Sequence, residues 1–88
     1  MLNDQPPSRA AVQDWILGYI TSVIDLAPDA VALDRPFREL GMDSAEVVIM
    51  TGVLEEEFAI EIRAELPFEH PTVAGFVEAL AEAGLIGG

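Results

Sequence analysis

Apolar residues recur along this chain in three helical rhythms. Val12, Trp15, Ile16, Tyr19, Ile20, Val23 and Ile24 keep the i, i+3, i+4, i+7 spacing that places side chains on one helix face. Ser8 is suited to N-cap this segment and Pro28 to end it, so the pattern predicts a helix over 8–25 behind a loose leader, residues 1–7. Trp15 and Tyr19 resemble a ligand box in isolation, but aromatics on such a stripe belong to a core. A second rhythm follows Asp43-Ser44. Val47, Thr51, Leu54 and Phe58 share one side with Met50 at its edge, predicting a helix over 43–58. The third comprises Val73, Phe76, Val77, Leu80 and Ala81, with Thr72 as N-cap and Gly84 as stop, predicting a helix over 72–83.

The segments between them are less regular. The connection over 26–43 carries Val31, Leu33, Phe37 and Leu40, enough to pin it to a core. Asp34-Arg35-Pro36 reads as a turn, and Pro36 starts a short helical turn through Glu39. Ala59-Ile60-Glu61-Ile62 alternates like a strand but has no partner strand, so it is expected to be an extended connector. Residues 64–68 predict one short helical turn across Pro67, and Leu85 and Ile86 tuck back before Gly87-Gly88 frays. Three longer helices and a short one make an all-α bundle, one domain over 1–88 without internal repeat.

The second helix has an unusual outer side. Ala45, Ile49, Gly52, Val53 and Glu56 fall opposite its core stripe, so two β-branched apolar residues stand where a solvated helix is polar. A second packing face, ordinary surface exposure and a docking surface all fit this pattern. At the helix start, Asp43 and Glu46 have capping-box spacing, with Asp43 as N-cap and Glu46 reaching back. At its end, Glu55-Glu56-Glu57 lie where the macrodipole disfavours negative charge, so solvation alone does not account for them.

Charge narrows the function classes. Sixteen acids face four arginines and no lysine, a net charge of −12, which repels the phosphates of nucleic acids and anionic membranes. The same surface either keeps a small domain soluble or steers it to basic patches on proteins. No apolar run approaches the roughly 20 residues that span a bilayer, and the N-terminus lacks the pattern of a signal peptide, so a cytoplasmic domain is expected. There is no cysteine, and the single histidine, His70, sits between Glu69 and Pro71. A Ser-His-Asp, Cys-His or zinc centre therefore lacks parts. A cation site among Glu55, Glu56, Glu57 and Glu61 has no loop spacing to support it, and a bundle of this size leaves little room for a glycosidase cleft. No catalytic constellation and no metal site are expected.

Ser44 remains. On two residues alone, Asp43-Ser44 is a good helix start, and also a place where free N–H groups favour a phosphate. The wider pattern is more specific. Phe37-Arg38-Glu39-Leu40-Gly41-Met42-Asp43-Ser44, the ending Leu54-Glu55-Glu56-Glu57-Phe58 and the run Pro67-Phe68-Glu69-His70-Pro71-Thr72-Val73 closely resemble the acyl carrier protein family, from the first helix to Leu80. The resemblance implies a four-helix bundle with a long loop between helices 1 and 2. It also implies a non-catalytic carrier whose Asp-Ser serine, here Ser44 with Asp43 as its motif neighbour, is esterified with 4′-phosphopantetheine taken from coenzyme A. The arm's thiol then holds acyl groups as thioesters. The partners implied for this monomeric carrier are a phosphopantetheinyl transferase, an acyl-loading acyltransferase or adenylating ligase, and a ketosynthase or other acyl-processing enzyme. By position, Asp43, Ala45, Glu46, Ile49, Gly52, Val53 and Glu56 inherit the family's docking role.

Departures bear on the pathway. Ala45 stands where leucine is common after the serine, Gly52 where a larger apolar residue is common, and Pro67 is unusual in the short helix. Met42-Asp43-Ser44 argues against a peptidyl carrier. Phe68-Glu69-His70-Pro71-Thr72 is similar to polyketide-synthase carriers, whereas Glu55-Glu56-Glu57-Phe58 leans towards fatty-acid carriers. The expected role is a carrier of polyketide or related secondary metabolism. A fatty-acid carrier is the first alternative, and an unmodified acidic module that uses Ser44 only as a cap is the second.

Overall fold

The computed structural model describes residues 6–87. Among the described residues, four α-helices make up the bundle: α1 (Arg9–Val23), α2 (Ser44–Phe58), α3 (Leu66–Glu69) and α4 (Val73–Glu82). Two 3₁₀ turns, Pro28–Ala30 and Phe37–Leu40, lie between α1 and α2. α1 packs against both α2 and α4, and α3 against α4. The core they enclose is built from Val12, Ile16 and Ile20 of α1, Val47, Met50 and Leu54 of α2, and Val73, Phe76, Val77 and Leu80 of α4.

The helices start where their caps act. Ser8 Oγ accepts from the Ala11 N–H at 3.0 Å, Asp43 Oδ1 from Glu46 at 2.9 Å and Thr72 Oγ1 from Gly75 at 2.9 Å. α1 ends at Val23, earlier than the predicted 8–25, and Pro28 does not end it but opens a 3₁₀ turn. The stop is local. Thr21 and Ser22 turn their hydroxyls back onto the Gly18 and Tyr19 carbonyls, and Ile24 is extended at φ −123°. That turn leaves Val23 exposed, off the core it was expected to join, while Ile24 packs against the core.

The other ends are set by backbone geometry. After α4, Gly84 adopts φ +78°, its N–H bonds the Ala81 carbonyl and that of Leu85 bonds Leu80, a Schellman stop that returns Ile86 to the core. Ala59 makes the equivalent turn after α2 at φ +55° without being glycine, and the Ile60 N–H bonds the Glu55 carbonyl. Gly87 is not frayed: its N–H bonds the Pro7 carbonyl at 2.8 Å. The remainder of the expected leader, residues 1–5, and Gly88 lie outside the described residues.

The long loop is pinned as its apolar residues suggest. Val31, Phe37 and Leu40 are buried, whereas Leu33 is exposed and contributes its carbonyl to the Ala74 N–H. The Phe37 N–H bonds the Pro71 carbonyl at 2.8 Å, so the loop is fastened to the start of α4. α3 spans Leu66–Glu69 rather than 64–68, which places Pro67 in the first turn, where a missing N–H costs nothing. The connector after α2 forms no strand: it begins with Ala59 in the left-handed turn, and Ile60, Glu61 and Ile62 belong to no helix or strand. Ile62 is buried, and its N–H bonds the Glu55 carboxylate at 2.6 Å. One of the three acids at the end of α2 therefore ties the connector to its helix.

Candidate functional site

Gly41 builds the site. It adopts φ +103° after the turn Phe37–Leu40, a conformation that side chains resist, and a Cβ there would also meet Ile24 Cδ1 at 3.4 Å. The reversal sends Met42 into the core, with its N–H on the Phe37 carbonyl at 3.0 Å, and leaves Asp43 and Ser44 outside. Asp43 is the N-cap, and Ser44 is the first residue of α2. Asp43 occupies the Glu46 N–H with its carboxylate and the Val47 N–H with its carbonyl. The Ser44 and Ala45 N–H groups have no partner among the described residues, so the helix end retains positive potential beside an exposed hydroxyl.

A groove of about 620 Å³ opens beside this hydroxyl. Phe37, Met42, Val47, Pro67, Phe68 and Pro71 give it an apolar lining, and Arg38, Asp43 and Ser44 border it with exposed polar groups. Phe68 is 47 % exposed there. His70 does not line the groove, and no hydrogen-bonded base accompanies Ser44 among the described residues. The arrangement presents a hydroxyl to another molecule's chemistry. Among the described residues, no cluster of three or more His, Cys, Asp or Glu side chains could hold a metal ion, and no helix is long and apolar enough to cross a membrane.

The remaining candidate residues divide between two places. Ala45 is exposed beside Ser44, while Ile49, Gly52, Val53 and Glu56 line a second groove of about 480 Å³ further along α2, with Glu55, Ile60 and Glu61. Ile49 is 54 % and Val53 40 % exposed, so this side is not a second packing face. Glu46 belongs to neither groove and does not complete a capping box. Its carboxylate instead accepts from the Tyr19 hydroxyl of α1 at 2.6 Å. Tyr19 stacks on Trp15 at 5.5 Å, and Trp15 meets Phe58 edge-on at 6.4 Å, so the aromatics seal the seam between α1 and α2.

Partial burial, then the hydrogen bond and negative charge of Glu46, push the Tyr19 phenol up to about 12. The fold thus favours the protonated phenol. Its contribution is whole below pH 10 and is lost as pH rises from there through about 12. Tyr19→Phe is expected to cost about 1 kcal/mol at neutral pH. Urea unfolding at pH 7 and pH 11 checks this: the gap between wild type and variant should narrow at the higher pH.

Val48 escaped the sequence reading. At 56 % it is the most exposed large apolar residue among the described residues, and it borders a smaller groove of about 180 Å³ with Thr51, Gly52 and Glu55. The signal was present: Val48 lies three residues after Ala45 and four before Gly52, both already placed on the outer side.

Comparison with known proteins agrees with this geometry. Residues 14–80 match the family model described as a phosphopantetheine attachment site. Erythronolide synthase EryA3 of Saccharopolyspora erythraea is 47 % identical over 47 residues, covering 53 % of this chain and 2 % of that protein. Acyl carrier protein TtuC of Teredinibacter turnerae is 35 % identical over 51 residues, covering 58 % of this chain and 59 % of that protein. The chain therefore spans a small fraction of the polyketide synthases and about three fifths of the carrier it resembles. The solution structure of Asl1650, an acyl carrier protein from Anabaena with a variant phosphopantetheinylation-site sequence, superposes with a TM-score of 0.79 at 28 % identity over 94 % of both chains. A free-standing peptidyl carrier protein from Acinetobacter baumannii, at 22 % identity and TM-score 0.74 over 86 % of this chain and 95 % of that one, shares the fold. With the family model covering most of the bundle, the chain belongs to the phosphopantetheine-binding carrier family and is related to the acyl carrier domains of polyketide synthases.

Proposed function

We propose that Ser44 carries the 4′-phosphopantetheine of this carrier and that the domain presents acyl intermediates to the enzymes of a polyketide or related secondary-metabolite pathway. One observation carries the reading: an exposed hydroxyl stands on the first residue of α2, with two unpartnered backbone N–H groups around it and an apolar groove beside it. The residues present fit the group. A phosphodiester on Ser44 Oγ is favoured by the helix end, and the apolar lining from Phe37 to Pro71 offers shelter to what hangs from it. When bound, the arm supplies a thiol that holds the acyl group as a thioester. The chain's own part is to fix where that arm begins, since Gly41 and the buried Met42 hold Asp43 and Ser44 outward.

Loading requires a phosphopantetheinyl transferase. The Ser44 hydroxyl oxygen bonds to phosphorus, the pyrophosphate link of coenzyme A breaks, adenosine 3′,5′-bisphosphate leaves, and the hydroxyl proton passes to the enzyme or to solvent. Asp43, Ala45, Glu46, Ile49, Gly52, Val53 and Glu56 are proposed as the docking side, joined by Val48. It would serve that transferase, an acyltransferase or adenylating ligase, and a ketosynthase. The relatedness to synthases named for erythronolide and other polyketides supports this pathway class over fatty-acid synthesis. Incubation with coenzyme A and a broad-specificity transferase is expected to raise the intact mass by one phosphopantetheinyl group. No increase, under conditions that load a control carrier, would overturn the proposal.

A further inference from the structure

With a net charge of −12, the chain has four arginines and no lysine to set against its acids. Two of the arginines hold elements together. Arg9 of α1 pairs with Glu78 of α4, and Arg63 pairs with Glu69 at 2.9 Å and Glu65 at 3.6 Å around α3. Arg35 and Arg38 are exposed and make no ion pair among the described residues. An exposed arginine without a partner is ordinary, so this is not by itself a signal. Place separates the two. Arg35 lines none of the three grooves, whereas Arg38 lines the one that Ser44 borders.

Arg38 is also rooted there. It lies in the turn Phe37–Leu40, and its carbonyl accepts the Gly41 N–H at 3.1 Å. The reversal that turns Ser44 outward therefore also fixes where the Arg38 side chain begins. Two carboxylates stand near this guanidinium in sequence or on the groove, and neither pairs with it. Glu39 is its exposed chain neighbour, and Asp43 gives its carboxylate to the Glu46 N–H. A phosphodiester on Ser44 adds one more negative charge next to Asp43, in a chain that is already strongly acidic. Repulsion from the neighbouring acids opposes that charge, and a cation facing it offsets the repulsion. The two free oxygens of a phosphodiester also match the fork of a guanidinium, which can donate two parallel N–H bonds to them.

We infer that Arg38 binds the phosphate of the loaded carrier: its guanidinium donates to the free oxygens of the phosphodiester on Ser44 and offsets the charge that loading adds. This rests on the attachment at Ser44 proposed above and adds the side chain that holds the root of the arm.

Magnetic resonance of the isotope-labelled protein before and after loading, at slightly acid pH where arginine N–H signals persist, tests it. In the wild type the Arg38 Nε–H signal is expected to move on loading, and its exchange with water to slow about two- to fivefold, the protection an exposed charge pair supplies. The Arg35 signal should do neither. Salt at about 1 M, where the screening length is about 3 Å, should remove most of that protection. The phosphorus signal of the loaded protein should shift in Arg38→Gln and keep its place in Arg35→Gln, which removes the same charge. In Arg38→Lys, a cation without the fork, it should fall between. The wild-type signals need no variant, so an Arg38→Gln protein that loads slowly leaves the first reading intact. A wild type that gains no phosphopantetheinyl mass removes the carrier reading and the contact with it. A loaded wild type whose Arg38 signal and exchange match those of the unloaded protein overturns the contact alone.

Discussion

Ser44→Ala is expected to gain no phosphopantetheinyl mass at all, while its unfolding midpoint stays close to that of wild type. The two halves of this expectation have separate causes. Attachment needs an exposed oxygen nucleophile at the start of α2, and no other hydroxyl is offered there. The hydroxyls of Ser8 and Thr72 cap other helices, those of Thr21, Ser22 and Thr51 donate to backbone carbonyls, and that of Tyr19 donates to Glu46. Stability is expected to change by less than about 0.5 kcal/mol, because Asp43 rather than Ser44 supplies the cap and alanine suits a first helical turn. Intact mass after exposure to coenzyme A and transferase, with a urea titration of the same sample, reads both. A mass gain equal to that of wild type would place the attachment elsewhere; a loss of several kcal/mol would show that Ser44 has a structural task the geometry does not display.

The largest expected loss of stability comes from Phe76→Ala, about 3–5 kcal/mol. Phe76 is fully buried and meets Phe37 edge-on at 6.2 Å, so its removal takes away a ring's worth of contacts and an aromatic pair together. A domain of this size has a total stability of roughly 4–13 kcal/mol, and the variant would stand near its unfolding threshold. The consequence reaches the candidate site through the chain. Phe37 opens the turn whose carbonyl holds the Met42 N–H, and Met42 sets the exit of Asp43-Ser44. Loading of Phe76→Ala should therefore fall with the folded fraction and recover on cooling towards the temperature of maximum stability. Urea midpoints within about 1 kcal/mol of wild type would contradict the core described here.

Much of this was legible in the sequence, for reasons that differ by element. α2 and α4 declare themselves through apolar spacing and through Asp43 and Thr72, since periodicity and caps are properties of neighbouring residues. The end of α1 was harder. Val23 continues the apolar rhythm, yet Thr21 and Ser22 draw the backbone out of the helix and Ile24 takes the inward position. α3 was misplaced at its start because a four-residue helix has no periodicity to read.

What the sequence determined by itself is local: three amphipathic segments, their N-caps and a serine at the head of a helix. Tertiary packing decided the rest. It carried Glu46 to Tyr19 instead of its own cap, tied Glu55 to Ile62 across the end of α2, and left Val48 in solvent. Each of those outcomes depends on which element lies opposite a residue, and spacing along one helix carries no information about its neighbour.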